Sequence, residues 1–409
     1  MTSSPALLDL DITGIAHGGT FIARHEGRVV FVSDAIPGER VRARLTEDST
    51  GESKSFWRAE TVEVLEASPH RRPHVWAEAD VSRAPEDRPG GADLGHIDLA
   101  QQRVLKRQVL TEALDRFAGP GLEGPEIEAV DSTDGTGWRT RVTLHVDDEG
   151  RVGPYAARSH RVIPVSSHPL ARPAVAKAAL RLAGGDAGSV DLVEPGDGEV
   201  RVIRRDRLDE RPARGQHRRP APEVVYEQVG DRRFQVDAGG FWQVHPRAAS
   251  VLDGAVYGIL DGHVDPEKKH FDLYGGVGLF AASLADLGGT DIVTVESSRR
   301  ATLHAQQNLA PLAVDAVTAR VDRYLAGVPA GTRAGAVVLD PPRAGAGRAV
   351  VDALDTLAPE AIAYVACDPV ALARDLGTFR AHGWNVGTLR GFDLFPHSHH
   401  FEVVALLTR

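Results

Sequence analysis

Hydrophobic and polar positions fall into distinct regimes along the chain. Between residues 5 and 66 the runs are short. Leu7 to Ile12 is apolar, Arg28-Val-Val-Phe-Val32 is β-branched, and Val41–Leu45 and Glu60–Leu65 alternate with period two. Gly14, Gly18, Gly19 and the turn Ile36-Pro-Gly-Glu39 punctuate them, so the spacing predicts a small β-barrel. Residues 67–95 are rich in Pro, His and charge and carry little periodicity. A helical period begins after them over Asp98–Phe117, with Leu99, Val104, Leu105, Val109, Leu110, Ala113 and Leu114 on its apolar positions, and Gly119-Pro-Gly121 ends it. Trp138–Val146 and Arg151–Tyr155 predict a hairpin, residues 171–184 a helix, and Val190–Ile203 a strand.

From about residue 248 the pattern becomes alternating. Strands are predicted at His270–Leu273, Asp291–Glu296, Ala336–Leu339, Ala361–Ala366 and Phe401–Leu407. Helices fit between them at Leu279–Leu287, Arg299–Leu309, Gly347–Thr356 and Pro369–Arg380. That alternation predicts a doubly wound, Rossmann-like α/β sheet. The expected organisation is a barrel over 1–66, a mostly β central domain over 67–233, and the α/β domain over 234–409.

Composition narrows the chemistry. Among 409 residues there is 1 Cys, Cys367, which excludes an intramolecular disulfide, a thiolate zinc ribbon and a cysteine-ligated iron–sulfur cluster. No apolar run approaches a membrane span, and Met1-Thr-Ser-Ser-Pro5 lacks the basic and apolar regions of a signal peptide. Cytoplasm is therefore the default compartment and a monomer the default state. A net charge of -10 argues against a basic nucleic-acid footprint over the whole surface, but phosphates respond to local patches. Arg201, Arg204, Arg205, Arg207, Arg211, Arg214, Arg218 and Arg219 form one such stretch, readable as a phosphate patch or as a solvated loop with Arg–Asp pairs.

Three strand ends carry the candidate chemistry. Phe271-Asp-Leu-Tyr-Gly-Gly-Val-Gly278 turns from strand to helix, where glycines let the backbone approach a ligand. Glu296 lies 24 residues beyond Asp272, an offset at which an acid commonly holds a ribose diol. The loop lacks a Gly-Lys-Ser/Thr ending, which argues against a P-loop ATPase. Val337-Val-Leu-Asp340-Pro-Pro-Arg343 ends another strand, where open α/β sheets bind ligands. Tyr364-Val-Ala-Cys367-Asp-Pro369 places the thiol before a proline that suits a helix start, so backbone N–H groups and the helix dipole should favour the thiolate. Near the end, Phe395-Pro-His-Ser-His-His-Phe-Glu402 supplies His397, His399 and His400 without an obvious metal-ligand set, and no metal is expected. Glu402 is readable as a salt-bridged surface residue or as a base facing Cys367.

The segment Gly18-Gly19, Gly27–Val32 and Ile36–Val41 resembles a TRAM domain, an RNA-binding barrel. Residues 234–409 resemble the catalytic domain of the S-adenosylmethionine-dependent RNA uracil-5-methyltransferases. The likeness rests on Phe241-Trp-Gln243-Val-His-Pro246, Asp272–Gly278, Val295-Glu296, Leu339–Arg343, Tyr364–Pro369 and His399–Glu402 in order, and Arg158–Ile163 extends it. The resemblance implies that Gln243, Tyr274, Glu296 and Asp340 contact S-adenosylmethionine, with Leu279 and Asp322 at less well matched positions. Leu279 stands where Asn is frequent, which puts that contact in doubt. It implies Cys367 as the nucleophile and Glu402 as the base. Many relatives carry a four-cysteine iron–sulfur cluster, and here Pro89, Ala92 and His168 stand at ligand positions, so a cluster-free enzyme is expected. The expected partner is RNA, ribosomal (23S) in preference to transfer RNA. A non-catalytic RNA-binding assembly factor is the reading from another class.

Overall fold

The computed structural model describes residues 6–46, 55–131, 134–206 and 222–409. Five strands, β1 (Leu7–Ala16), β2 (Thr20–His25), β3 (Arg28–Ser33), β4 (Arg40–Leu45) and β5 (Phe56–Glu66), close into a barrel ordered β1-β2-β3-β5-β4. The alternation read from the sequence is its cause. On β4, Val41, Ala43 and Leu45 point inward, while Arg42 faces Asp9 and Glu63 outside. Two ion pairs bind the barrel to the segment after β5. Glu39, its side chain fully buried, accepts from Arg71 at 2.6 and 2.7 Å, and Asp34 accepts from Arg88 at 2.9 Å.

Helix α1 (Leu99–Ala113), capped by the Asp98 carboxylate on Gln101 N, continues through one wider turn to Ala118. One part of it, Leu105 with Val109, packs under the barrel. Its far end, Leu110, Ala113 and Leu114, joins the core of the C-terminal sheet. Strand β6 (Ile127–Ala129) adds itself to the edge of that same sheet. Thus part of the 67–233 segment packs with the C-terminal domain.

The central sheet has the order β10-β9-β7-β8, from β7 (Arg141–Val146), β8 (Val152–Gly153), β9 (Gly188–Val193) and β10 (Arg201–Asp206), with α2 (Pro173–Ala179) against it. The expected single strand Val190–Ile203 is two, β9 and β10, because Gly196 and Gly198 turn the chain between them. Of the arginine stretch, Arg201 pairs with Asp197 and Glu223, and Arg205 with Asp191. Arg207, Arg211, Arg214, Arg218 and Arg219 lie outside the described residues. A hairpin of β11 (Val224–Val229) and β12 (Arg232–Asp237) leads into α3 (Ala248–Leu260).

The C-terminal sheet comprises β13 (Lys269–Leu273), β14 (Asp291–Glu296), β15 (Val314–Thr318), β16 (Ala334–Leu339), β17 (Ala361–Ala366), β18 (Asn385–Asp393) and β19 (Glu402–Thr408). With β6 it runs β15-β14-β13-β16-β17-β19-β18-β6, parallel except for β19. Helices α4 (Leu279–Asp286), α5 (Arg299–Asn308), α6 (Val321–Ala326), α7 (Arg348–Leu357) and α8 (Pro369–Ala381) connect the strands. Both faces are covered. Phe271, Leu273, Val337, Leu339, Ile362 and Tyr364 pack with α1, α7 and α8, while Ala336, Val338, Ala361 and Ala363 pack with α3 and α4. No helix among the described residues is long and apolar enough to cross a membrane.

Candidate active site

The order β14-β13-β16 reverses the winding of the sheet, so the crevice beyond the carboxyl ends of β13 and β16 is where ligands bind. Register brings the sequence-derived residues to that edge. Leu273 pairs with both Val295 and Leu339, so the next residues along, Tyr274, Glu296 and Asp340, stand side by side. Cys367 follows β17. Because β19 runs antiparallel and Ala366 pairs with Val403, one further step on the ladder sets Cys367 against Glu402.

The first loop is built for close approach. Tyr274 holds φ 66°, unusual for a side-chain-bearing residue. A Cβ on Gly275 would lie 2.0 Å from Thr294 Oγ1 and 2.4 Å from Asp272 Oδ2, so only glycine fits, whereas Gly276 faces open space. Gly276 N donates to Glu296 Oε2 at 3.2 Å, and Ser298 N donates to Oε1 at 2.6 Å, which fixes that carboxylate at the loop. Asp322, in the first turn of α6, accepts a fork from Arg320 at 3.0 and 2.9 Å, and its charge is felt by Tyr274. Leu279, by contrast, packs into the apolar cluster with α3. Gln243 lies between β12 and α3, in a segment anchored where Thr140 N and Oγ1 donate to Val244 O at 2.8 and 2.9 Å. The open face at Gly276 and the anchored Glu296 carboxylate fit a nucleoside with a ribose diol.

Cys367 and Glu402 sit in an acidic, poorly solvated pocket. Glu402 is 6 % exposed; burial, then Asp340, hold its carboxyl well above the usual range, and Arg343 opposes them. Burial also lifts Asp340 to about 7, helped by Asp272, itself lifted to about 7 by burial. The thiolate expected from a helix start is not what this environment favours. Burial, then Glu402 and Asp340, push Cys367 up to about 12. The reason is local. Asp368, not Cys367, caps α8, accepting from Val370 N and Ala371 N at 3.0 and 2.8 Å and so taking up the helix N–H groups. Arg343 is the cation whose field lowers both Cys367 and Glu402.

The turn before Glu402 is clasped from outside the domain. On α1, Lys106 Nζ donates to Asp393 Oδ1 at 2.6 Å and Phe395 O at 3.1 Å, and Gln102 Oε1 accepts from His397 N at 2.8 Å. His399 Nδ1 bonds Asp93 at 2.7 Å, and burial lowers His400 to about 3. The barrel reaches in too. His17 Nε2 lies 3.0 Å from Asp368, and a Cβ on Gly19 would stand 3.1 Å from that of His399. Lys106, Gln102 and His17 escaped the sequence reading. A signal existed for the first two: polar residues four apart, on the helix positions that alternate with Leu105 and Val109 as core contacts. Of the three positions where the relatives' ligands would stand, Ala92 packs with Trp76, Trp138 and Leu170, the His168 ring centre lies 5.8 Å from that of Trp76, and Pro89 bridges to Ala156.

A doubly wound sheet with an acid at the end of its second strand and a glycine-rich first loop defines a Rossmann-like, nucleoside-binding α/β domain. The comparisons agree. The family model "tRNA (Uracil-5-)-methyltransferase" matches residues 328–409, and the model "TRAM domain" matches residues 7–55. An RNA methyltransferase of Streptomyces avermitilis is 40 % identical over 98 % of this chain and 97 % of its own. The 23S rRNA (uracil(1939)-C(5))-methyltransferase RlmD of Shewanella halifaxensis is 28 % identical over 98 % of this chain and 95 % of its own. Among solved structures, the Pyrococcus abyssi tRNA (uracil-54, C5)-methyltransferase with S-adenosyl-L-homocysteine superposes at a TM-score of 0.69, covering 98 % of this chain and 99 % of that one at 20 % identity. The chain belongs to the TRAM-containing RNA uracil-5-methyltransferase family and is an RNA methyltransferase.

Proposed function

We propose that this enzyme methylates carbon 5 of a specific uridine in structured RNA, with Cys367 as nucleophile and Glu402 as base. The observation that carries the reading is the β17–β19 register, which sets the chain's one thiol beside a buried carboxyl at the ligand edge of the sheet. When bound, S-adenosylmethionine supplies a methyl on a positive sulfur. Glu296 would hold its ribose, with Tyr274, Asp340, Gln243, Leu279 and Asp322 around it.

The protein's own task is to make carbon 5 nucleophilic. Sulfur addition to carbon 6 turns the ring into an enolate whose carbon 5 can attack. The thiol, pushed up to about 12, gives its proton to solvent water as the C–S bond forms, and Arg343 favours the negative charge that develops. Once carbon 5 carries the methyl, Glu402 in its ionised form takes the carbon-5 proton, and the electron pair of that C–H bond expels the sulfur, which regains a proton from solvent. Both groups must reach one base, so the uridine leaves its stack. The central packing around Trp76, Ala92 and Leu170 stands in for the cluster of relatives.

RNA containing 5-fluorouridine at the target tests the chemistry, because fluorine at carbon 5 cannot leave as a proton. We expect a covalent adduct with the parent protein and none with Cys367→Ala. Absence of adduct with an RNA that the protein methylates refutes the assignment. Ribosomal RNA is favoured because the 23S-directed relative matches along the whole chain, whereas the transfer-RNA-directed structure, at 20 % identity, speaks to fold alone. Methylation of transfer RNA but not 23S RNA by the pure protein overturns that choice. The enzyme is expected to act as a cytoplasmic monomer.

A further inference from the structure

Beside the catalytic crevice the central domain holds a cavity of about 440 Å³, within the range of small-ligand sites. Arg139 just before β7, Arg141 and Thr143 on it, Gly91, Asp191 and Val244 are among its walls. The cavity shares no residue with the cofactor edge, yet Val244 directly follows Gln243, and Arg139 feels the charge of Arg343. It therefore flanks the reacting centre.

Its charges are unbalanced. Arg141 is anchored, donating to Gly240 O at 2.7 Å and Ala238 O at 3.2 Å and facing Glu227 at 3.4 Å. The wall's carboxylate, Asp191, is taken by Arg205 at 2.8 Å and by Thr143 Oγ1 at 2.7 Å. Among the described residues Arg139 has no such partner. Its Nε is out of contact with solvent and unbonded, and its guanidinium finds only the Trp138 ring, 5.8 Å away, among the described residues. The acid whose charge it feels, Asp93, is bound by His399. A desolvated cation without an anion is costly and calls for one. Gly91 opposite leaves open space where a side chain would stand, with φ 106° that disfavours filling it.

We propose that this cavity is a phosphate subsite, taking one phosphodiester of the substrate RNA next to the target uridine on the Arg139 guanidinium. A planar fork of N–H donors suits a phosphodiester's two free oxygens. The proposal rests on the assignment of RNA as the substrate.

The test measures binding of a uridine-containing stem-loop RNA across a salt series, for the parent and for Arg139→Gln and Arg139→Met. Each lost phosphate contact should flatten the plot of log affinity against log salt by about 0.7 to 0.9. We expect that change, with affinity about 10- to 100-fold weaker and S-adenosylmethionine binding and melting temperature unchanged. Adenosine monophosphate serves as a second probe. Protection of the parent by the mononucleotide, with an unchanged RNA slope in the variants, assigns the cavity to a free phosphate and overturns the RNA contact. An unchanged slope without such protection overturns the subsite altogether. If the variants melt early, a single methylphosphonate scanned along the RNA with the parent replaces them: one position flanking the target should lose the same slope, and a flat scan refutes the subsite. A parent that binds no RNA refutes the RNA assignment instead, which separates the two failures.

Discussion

Replacing Lys106 by methionine tests how the fold holds Glu402 in place. The ammonium is 1 % exposed, its partner Asp393 2 %, at 2.6 Å, and a second bond reaches Phe395 O. Methionine keeps the apolar stem and deletes the charge, which strands a buried carboxylate and a carbonyl. Breaking a buried pair from one side costs about 3–5 kcal/mol. For a cooperative unit of this size that lowers the melting temperature by roughly 6–20 °C. The Lys106→Met, Asp393→Leu double variant removes both charges and should be more stable than Lys106→Met alone, because an apolar pair carries no desolvation cost. Because the clasp lies on the turn leading to Glu402, kcat should fall in the single variant while the affinity for S-adenosylmethionine stays. Thermal denaturation and steady-state kinetics on the parent, Lys106→Met, Asp393→Leu and the double variant decide it. A shift under about 2 °C for Lys106→Met, or a double variant showing the sum of both single losses, would refute the reasoning.

Glu402→Gln should cut turnover about 100- to 10,000-fold and leave the RNA–Cys367 adduct on ordinary RNA visible by denaturing gel, since the carbon-5 proton has no acceptor. Gly275→Ala should abolish S-adenosylmethionine binding by calorimetry, because its Cβ has only 2.0 Å to Thr294 Oγ1. Arg343→Gln removes the cation that lowers Cys367 and Glu402, so the rising limb of a pH–rate profile should move to higher pH; an unmoved limb contradicts the role given to Arg343. Asp272 has its folded value raised to about 7 from 3.8, so the stability it contributes is complete below the ordinary carboxylate range and is lost as pH rises through about 7. Asp272→Asn should therefore flatten that decline and raise the melting temperature at pH 8 more than at pH 4.

Strands and helices buried on both sides of the C-terminal sheet were legible because period and composition agree there. Predicted and observed bounds at β14 and β17 coincide. Strands β15 and β18 escaped. Val314–Thr318 is short and half-exposed at an edge, and Asn385–Asp393 is interrupted by Gly387 and Gly391. Helix α3 carries Gly254 and Gly258, which hide its period. The acids at strand ends could be found from motif and spacing. The protonation of Cys367 could not, since it depends on Glu402 and Asp340 arriving from other strands and on Asp368 winning the cap. The clasp on Asp393 joins residues 287 apart, a distance at which no local pattern speaks.

That clasp also bears on synthesis. Helix α1 and β6 leave the ribosome long before β18 and β19 exist, so their apolar faces at Leu110, Leu114 and Ile127 must wait for the end of the chain. Loss of the final strands removes Glu402 and uncovers these surfaces together. A messenger cut short near its end should yield aggregated protein rather than a folded domain that lacks only Glu402.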